Sequence, residues 1–131
     1  KHPFQHSWLQ NDNFSLYQTL LYPNEIDLIY IYNRSLLKEY FQTHNDDEHT
    51  LYFYSVFHTK EDAQNYLTSV YQDFKVHDTI LTKDLQYIVQ LERREEMSFI
   101  RLNEVALNLY NLSKNNHGHY ISLNYQAIDN H

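Results

Sequence analysis

Residues 51–127 predict an α+β domain in the order strand, helix, strand, strand, helix, strand. Three observations carry that expectation. Leu51, Phe53, Ser55 and Phe57 alternate with Tyr52, Tyr54, Val56 and His58, the period of a strand with one buried face. Ala63, Leu67, Val70 and Phe74 then recur at helical spacing, and Phe99, Leu102, Ala106, Leu109 and Leu112 do so again later. Between the helices lie two extended runs, Val76 to Thr82 and Leu85 to Glu92, with Lys83 and Asp84 as a tight hairpin turn between them.

Each element has a local cause. Residues 1–12 read as a flexible end. Asn11, Asp12 and Asn13 precede Phe14, Tyr17, Leu20 and Leu21 at helical spacing, and Pro23 closes the segment, which predicts a helix over 13–22. The run Ile26 to Tyr32 is branched and aromatic without a breaker and reads as a mostly buried strand. Asn33 or Ser35 is placed to cap a helix to residue 43 that carries Leu36, Leu37, Tyr40 and Phe41, and a polar loop follows to His49. Thr59, three residues before Asp62, has capping-box spacing for the next helix, which ends near Lys75.

The charged run Glu92-Arg93-Arg94-Glu95-Glu96 reads as a turn ahead of the long helix, with its acids complementing the helix dipole and Lys114 near the far end. Gly118 is expected as the left-handed residue that stops this helix. A last strand over 119–127 places Ile121, Leu123, Tyr125 and Ala127 on one side and Tyr120, Ser122, Asn124 and Gln126 on the other. The whole order is that of a ferredoxin-like βαββαβ core, about residues 51–127, with an N-terminal helix-strand-helix addition over 13–50 in one domain of 131 residues. The right-handed crossover rule sets the first and third core strands in the centre of the sheet.

Composition removes several function classes. The chain has no Cys, so disulfides, thiolate nucleophiles, iron–sulfur clusters and Cys-bearing zinc sites are excluded. One glycine cannot build a P-loop or a dinucleotide-binding turn, which need several backbone positions free of a Cβ. A formal charge of −7 opposes nucleic acid and anionic membranes and suits a basic or neutral protein surface. No apolar run reaches the roughly 18 residues of a membrane span, and Lys1 to His6 lacks the apolar core of a secretory signal. A cytoplasmic protein without a cofactor is the expectation.

No catalytic constellation stands out. Asp46, Asp47 and Glu48 lie together in a polar loop, where adjacent acids are ordinarily solvated, and no Ser, His and Asp set sits on a nucleophile turn. His117 and His119 have a chelating separation but no neighbouring acid, so no metal site is assigned. His44 and His49 read as solvated loop residues. With both core helices on one side of the sheet, Tyr52, Tyr54, Gln86, Ile88, Gln90, Tyr120, Asn124 and Gln126 are left on the other. Tyrosine gives large, stiff contact area and a hydroxyl, a pattern suited to a protein interface. Tyr52, Tyr54, Gln86, Gln90, Tyr120 and Asn124, with Arg93 and Arg94 of the charged turn, are therefore the candidate partner-binding residues.

The stretch Leu51 to His58, the Thr59-Lys60-Glu61-Asp62-Ala63 helix start, and Gly118-His119-Tyr120 ahead of the last strand resemble the RraB-like family, regulators of ribonuclease E activity. That family tends to close on a Gly- and Trp-containing strand, where this chain has Ile121-Ser122-Leu123-Asn124-Tyr125. The pattern from Ile26 to Leu91 is also similar to the C-terminal domain of MecA-type protease adaptors. Both resemblances imply a non-catalytic protein that inhibits or adapts another protein by binding it. The alternatives are a small metal-dependent protein or an RNA-binding one that stacks bases on strand tyrosines.

Overall fold

The computed structural model describes residues 24–127. The expected flexible end and the helix over 13–22 lie outside those residues. The described chain is α+β: α1 (Glu25–Thr43), β1 (Glu48–Phe57), α2 (Lys60–Val70), β2 (Lys75–Leu81), β3 (Tyr87–Glu96), α3 (Phe99–Asn115) and β4 (His119–Asn124). The strands form one antiparallel sheet in the order β2-β3-β1-β4. The first and third strands stand in the centre, and the order is consistent with a ferredoxin-like domain.

The strand expected over Ile26 to Tyr32 is helix instead, continuous with the helix expected after it. Asn24 is the N-cap, its side chain accepting from the Asp27 amide at 2.9 Å, and Glu25 and Asp27 favour the positive end of the helix. The buried stripe is Ile29, Asn33, Leu36, Leu37 and Tyr40. Its second member is polar, so the apolar period is broken where the run of branched residues is densest.

Leu51, Phe53 and Phe57 of β1, Val89 and Leu91 of β3 and Leu123 of β4 point to the helix side. They meet Leu36, Leu37 and Tyr40 of α1, Ala63, Tyr66 and Val70 of α2, and Leu102, Val105, Ala106 and Leu109 of α3 in one core. Each fully buried large side chain is worth about 1.5–3 kcal/mol, so this interface decides the fold. α2 and α3 lie over β1 and β3, while α1 lies against α3 and β4.

The charged run 92–96 is not a turn. It continues β3 because Glu48 to Tyr52 supplies a partner for it, with Glu48 opposite Glu96 and Tyr52 opposite Glu92. The cap of α3 is Ser98, whose hydroxyl accepts from the Arg101 amide at 3.2 Å, and no acid stands in its first turn. The β2–β3 hairpin closes through Leu85 in the left-handed region (φ 60°), with the Leu85 amide donating to Thr82 O at 3.0 Å.

Gly118 does not take the left-handed conformation. His117 does (φ 62°), and the Gly118 amide bonds to Ser113 O at 2.7 Å while the His117 amide bonds to Lys114 O at 3.1 Å, a Schellman closure. Glycine is needed at 118 for space. A Cβ there would collide with the Phe57 ring and stand 2.7 Å from Val56 O.

Candidate functional site

The tyrosine-bearing sheet face is closed at its centre. Tyr54 and Gln90 are paired in register across the two central strands and are 3% and 0% exposed. In the sheet they are flanked by Ser122 of β4 and Asp78 of β2, and among the described residues neither Gln90 amide atom has a hydrogen-bond partner. Both were expected to be available to a partner and are not. Tyr52 remains half-buried, its ring edge against His77 at 5.2 Å, and His77 Nδ1 lies 3.0 Å from Glu92.

Tyr120 is on the opposite face from the one expected. A register shift opposite Tyr54 and Ser55 pairs Ser122 with Tyr54 but Tyr120 with Ser55, so β4 bulges at Ile121. One additional residue inverts the alternation before it: Tyr120 turns to the helix side at 9% exposure, and Ile121, expected in the core, is 49% exposed.

Gln86 falls in the hairpin loop rather than on the strand, its side chain 3.4 Å from His58 Nδ1. Asn124, half-buried at the end of β4, accepts from the Gln126 amide at 3.3 Å. Arg93 is not free for a partner. Its guanidinium lies 3.8 Å over the Phe74 ring, donates to Asp73 O at 3.2 Å, and pairs with Glu95. Arg94 is exposed and pairs with Glu48 at 3.2 Å.

His44 and His49 are half-buried rather than solvated. His44 stacks on Tyr40 at 4.4 Å, and the His49 ring meets Tyr40 edge-on at 5.3 Å. His117 and His119 are exposed, and among the described residues no group of three His, Cys, Asp or Glu is placed to hold a metal ion. No helix among the described residues is long and apolar enough to cross a membrane.

A cleft of about 590 Å³ opens instead between the first half of α1, Tyr110 of α3 and residues His119 to Ser122 of β4. The two misread elements create it. Because α1 is helical from Glu25, Leu28 and Ile31 stand beside its buried stripe at 54% and 53% exposure. Because β4 bulges, Ile121 is turned outward close by. Tyr32 holds the helix to the strand, its hydroxyl donating to Leu123 O at 3.0 Å. At the far end Glu25 accepts from the Tyr110 hydroxyl at 2.7 Å and lies 3.9 Å from Lys114.

The cleft is lined also by Asn33 and Tyr120. Asn33 Nδ2 donates to Asn103 at 2.9 Å, but among the described residues its buried Oδ1 has no partner, and neither has the buried Tyr120 hydroxyl. Loss of water pushes the Tyr120 hydroxyl well above the ordinary tyrosine range, aided by Tyr66 and Tyr32 nearby, so it remains a donor at neutral pH. Burial also raises Tyr66, less strongly because Ser55 and Ser113 bond to it.

The sign of the resulting pH dependence is fixed. Above the ordinary tyrosine pKa near 10, the unfolded chain releases these protons before the folded one, so stability falls as pH rises. Alkaline denaturation followed by tyrosinate absorbance should begin above about pH 10 and be blunted in Tyr120→Phe. Equal pH profiles for the two proteins would remove Tyr120 from that linkage.

No protein-family model matches this chain, and no curated protein is significantly similar to it in sequence.

Proposed function

We propose that the chain is a non-catalytic regulatory protein of the cytoplasm that binds another protein and inhibits or adapts it, with a nuclease or a component of proteolysis as the class of target. The supporting observation is the outward-facing set Leu28, Ile31 and Ile121, large aliphatic side chains half exposed along one cleft. Single exposed apolar residues are ordinary, but several bordering a concave surface make a contact patch. The contact is thus moved from the tyrosine face to the α1–β4 side. A charge of −7 favours a basic or neutral partner surface over an acidic one. The mechanism is steric: the bound partner has its own working surface covered.

The test is a titration of a partner recovered on the wild-type chain against two variants. Leu28→Asp combined with Ile31→Asp is expected to weaken binding by a factor of about 100 or more, as the loss of an interface anchor does. Tyr52→Ala, on the sheet face, should change it less than about threefold. If the aspartate pair binds as tightly as wild type, the α1–β4 side is not the contact.

A further inference from the structure

We propose that the sheet face opposite the helices is a docking surface for the chain's own N-terminal segment, with residues 13–22 laid across it as a helix through Phe14, Tyr17, Leu20 and Leu21. This goes beyond the partner-binding reading, which concerns the α1–β4 side. It rests on burial that the described elements do not produce.

Tyr54 and Gln90 pair across β1 and β3 beside Phe53 and Leu91. Phe53 and Leu91 belong to the helix-side core, so alternation turns Tyr54 and Gln90 to the other face. α2 and α3 lie over β1 and β3 on the core side, and α1 lies against α3 and β4 with its buried stripe in that same core. None of the described helices packs on the Tyr54 face. Yet Tyr54 is 3% and Gln90 0% exposed, and Tyr54, though buried, is not part of the core. Tyr52, Val56 and Ile88 around them are half-buried. On an uncovered sheet face the tip of a glutamine reaches water, as the exposed Asp78 beside it does.

These exposures are those of one chain, so the cover belongs to this chain and not to a second copy. Residues 128–131 hold a single apolar side chain, Ile128, whereas 13–22 set four at helical spacing. The segment joins the described chain at Asn24, the N-cap of α1. The next residue, Glu25, shares a cleft with His119 and Ile121 of the edge strand β4. The segment therefore has only the β4 border to pass to reach the far face. A helix over 13–22 is about 15 Å long, and four strands are about 14 Å across. Tethering also gives the segment an effective concentration of about millimolar at that face.

The chain has no Cys, so a single introduced thiol reports its own position. In native buffer, Gln90→Cys should react with a thiol reagent about 100-fold or more slowly than Thr79→Cys, at an exposed site on β2. Adding Leu20→Asp and Leu21→Asp should speed Gln90→Cys about tenfold or more, while Val89→Cys, on the core face, stays slow. A spin label on Thr19→Cys in the otherwise unaltered chain, on the side of the helix away from Phe14 and Leu21, tests proximity without weakening the contact. It should broaden the amide signals of Tyr54 and Gln90 more than those of Ala63 and Tyr66 on α2, and this comparison decides the matter if the aspartate pair unfolds the protein. Equal broadening overturns the proposal. So do Gln90→Cys reacting as fast as Thr79→Cys, protection that the aspartate pair leaves intact in a folded chain, and protection that falls on dilution, which would assign the cover to a second copy.

Discussion

Gly118→Ala should destabilise the protein by about 3 kcal/mol, the upper part of the range for an overpacked core, and lower its melting temperature by roughly 10 °C. The new methyl group has nowhere to go. The Phe57 ring it would strike is fully buried, held 4.8 Å from Tyr66, and Val56 O is backbone 2.7 Å away. Because β4 begins at His119, relief by moving residue 118 would drag the strand that pairs with β1. The adjacent position provides the contrast. His117→Gly removes the left-handed strain of a non-glycine residue and should stabilise by about 1 kcal/mol. Thermal melts of both decide the point: an alanine variant that melts like wild type means the approach of residue 118 to Phe57 is not rigid.

Glu95→Ala is the second large effect, expected at about 2–3 kcal/mol. Glu95 is 4% exposed on β3 and accepts from Arg93 on its own strand and from Arg101 Nε on α3 at 2.9 Å. Removing one member of a fully buried ion pair costs about 3–5 kcal/mol because a charge is left desolvated. Here the arginine side chains are 29% and 41% exposed, so water compensates part of the loss and the expectation is lower. A cycle combining Glu95→Ala with Arg101→Ala in denaturant unfolding should return a coupling of about 1 kcal/mol or more. Coupling near zero would mean that the carboxylate is held by packing alone.

The core was legible where a single period governs a segment. Alternation through Leu51, Phe53 and Phe57 and the stripe Leu102, Ala106 and Leu109 both mark faces that the structure buries. Misreadings arose where one residue departs from the period. Asn33, buried by its bond to Asn103, interrupts the helical stripe of α1 and leaves the β-branched run before it looking like a strand. The bulge at Ile121 has no composition signal, since Tyr120 and Ile121 are both good strand residues, and only pairing with β1 inserts the additional residue. Charge misled in the same way. The run Glu92-Arg93-Arg94-Glu95-Glu96 looks like a solvated turn until the Phe74 ring against Arg93 and the pairing of Arg101 with Glu95 are known.

These local errors account for the displaced site. Two of the tyrosines chosen for a partner went inward, Tyr54 at the sheet centre and Tyr120 through the bulge, while Leu28, Ile31 and Ile121 came outward. The signal that could have found the cleft was present in Leu28, Ile31, Tyr32 and Ser35, spaced three and four apart beside a second stripe at Ile29, Asn33 and Leu36. Accepting one polar member in the buried stripe is all that reading required.

The hydrogen bond from Tyr32 to Leu123 O bears on how copies of this molecule can associate. A sheet that lengthens from molecule to molecule must present two vacant borders, one to accept a neighbour and one to pass the pairing on. In this fold the β4 border is engaged by the chain's own helix, which leaves β2 as the remaining border among the described strands. Two copies pairing through β2 would be joined about a twofold axis, a closed arrangement that uses the same border of each.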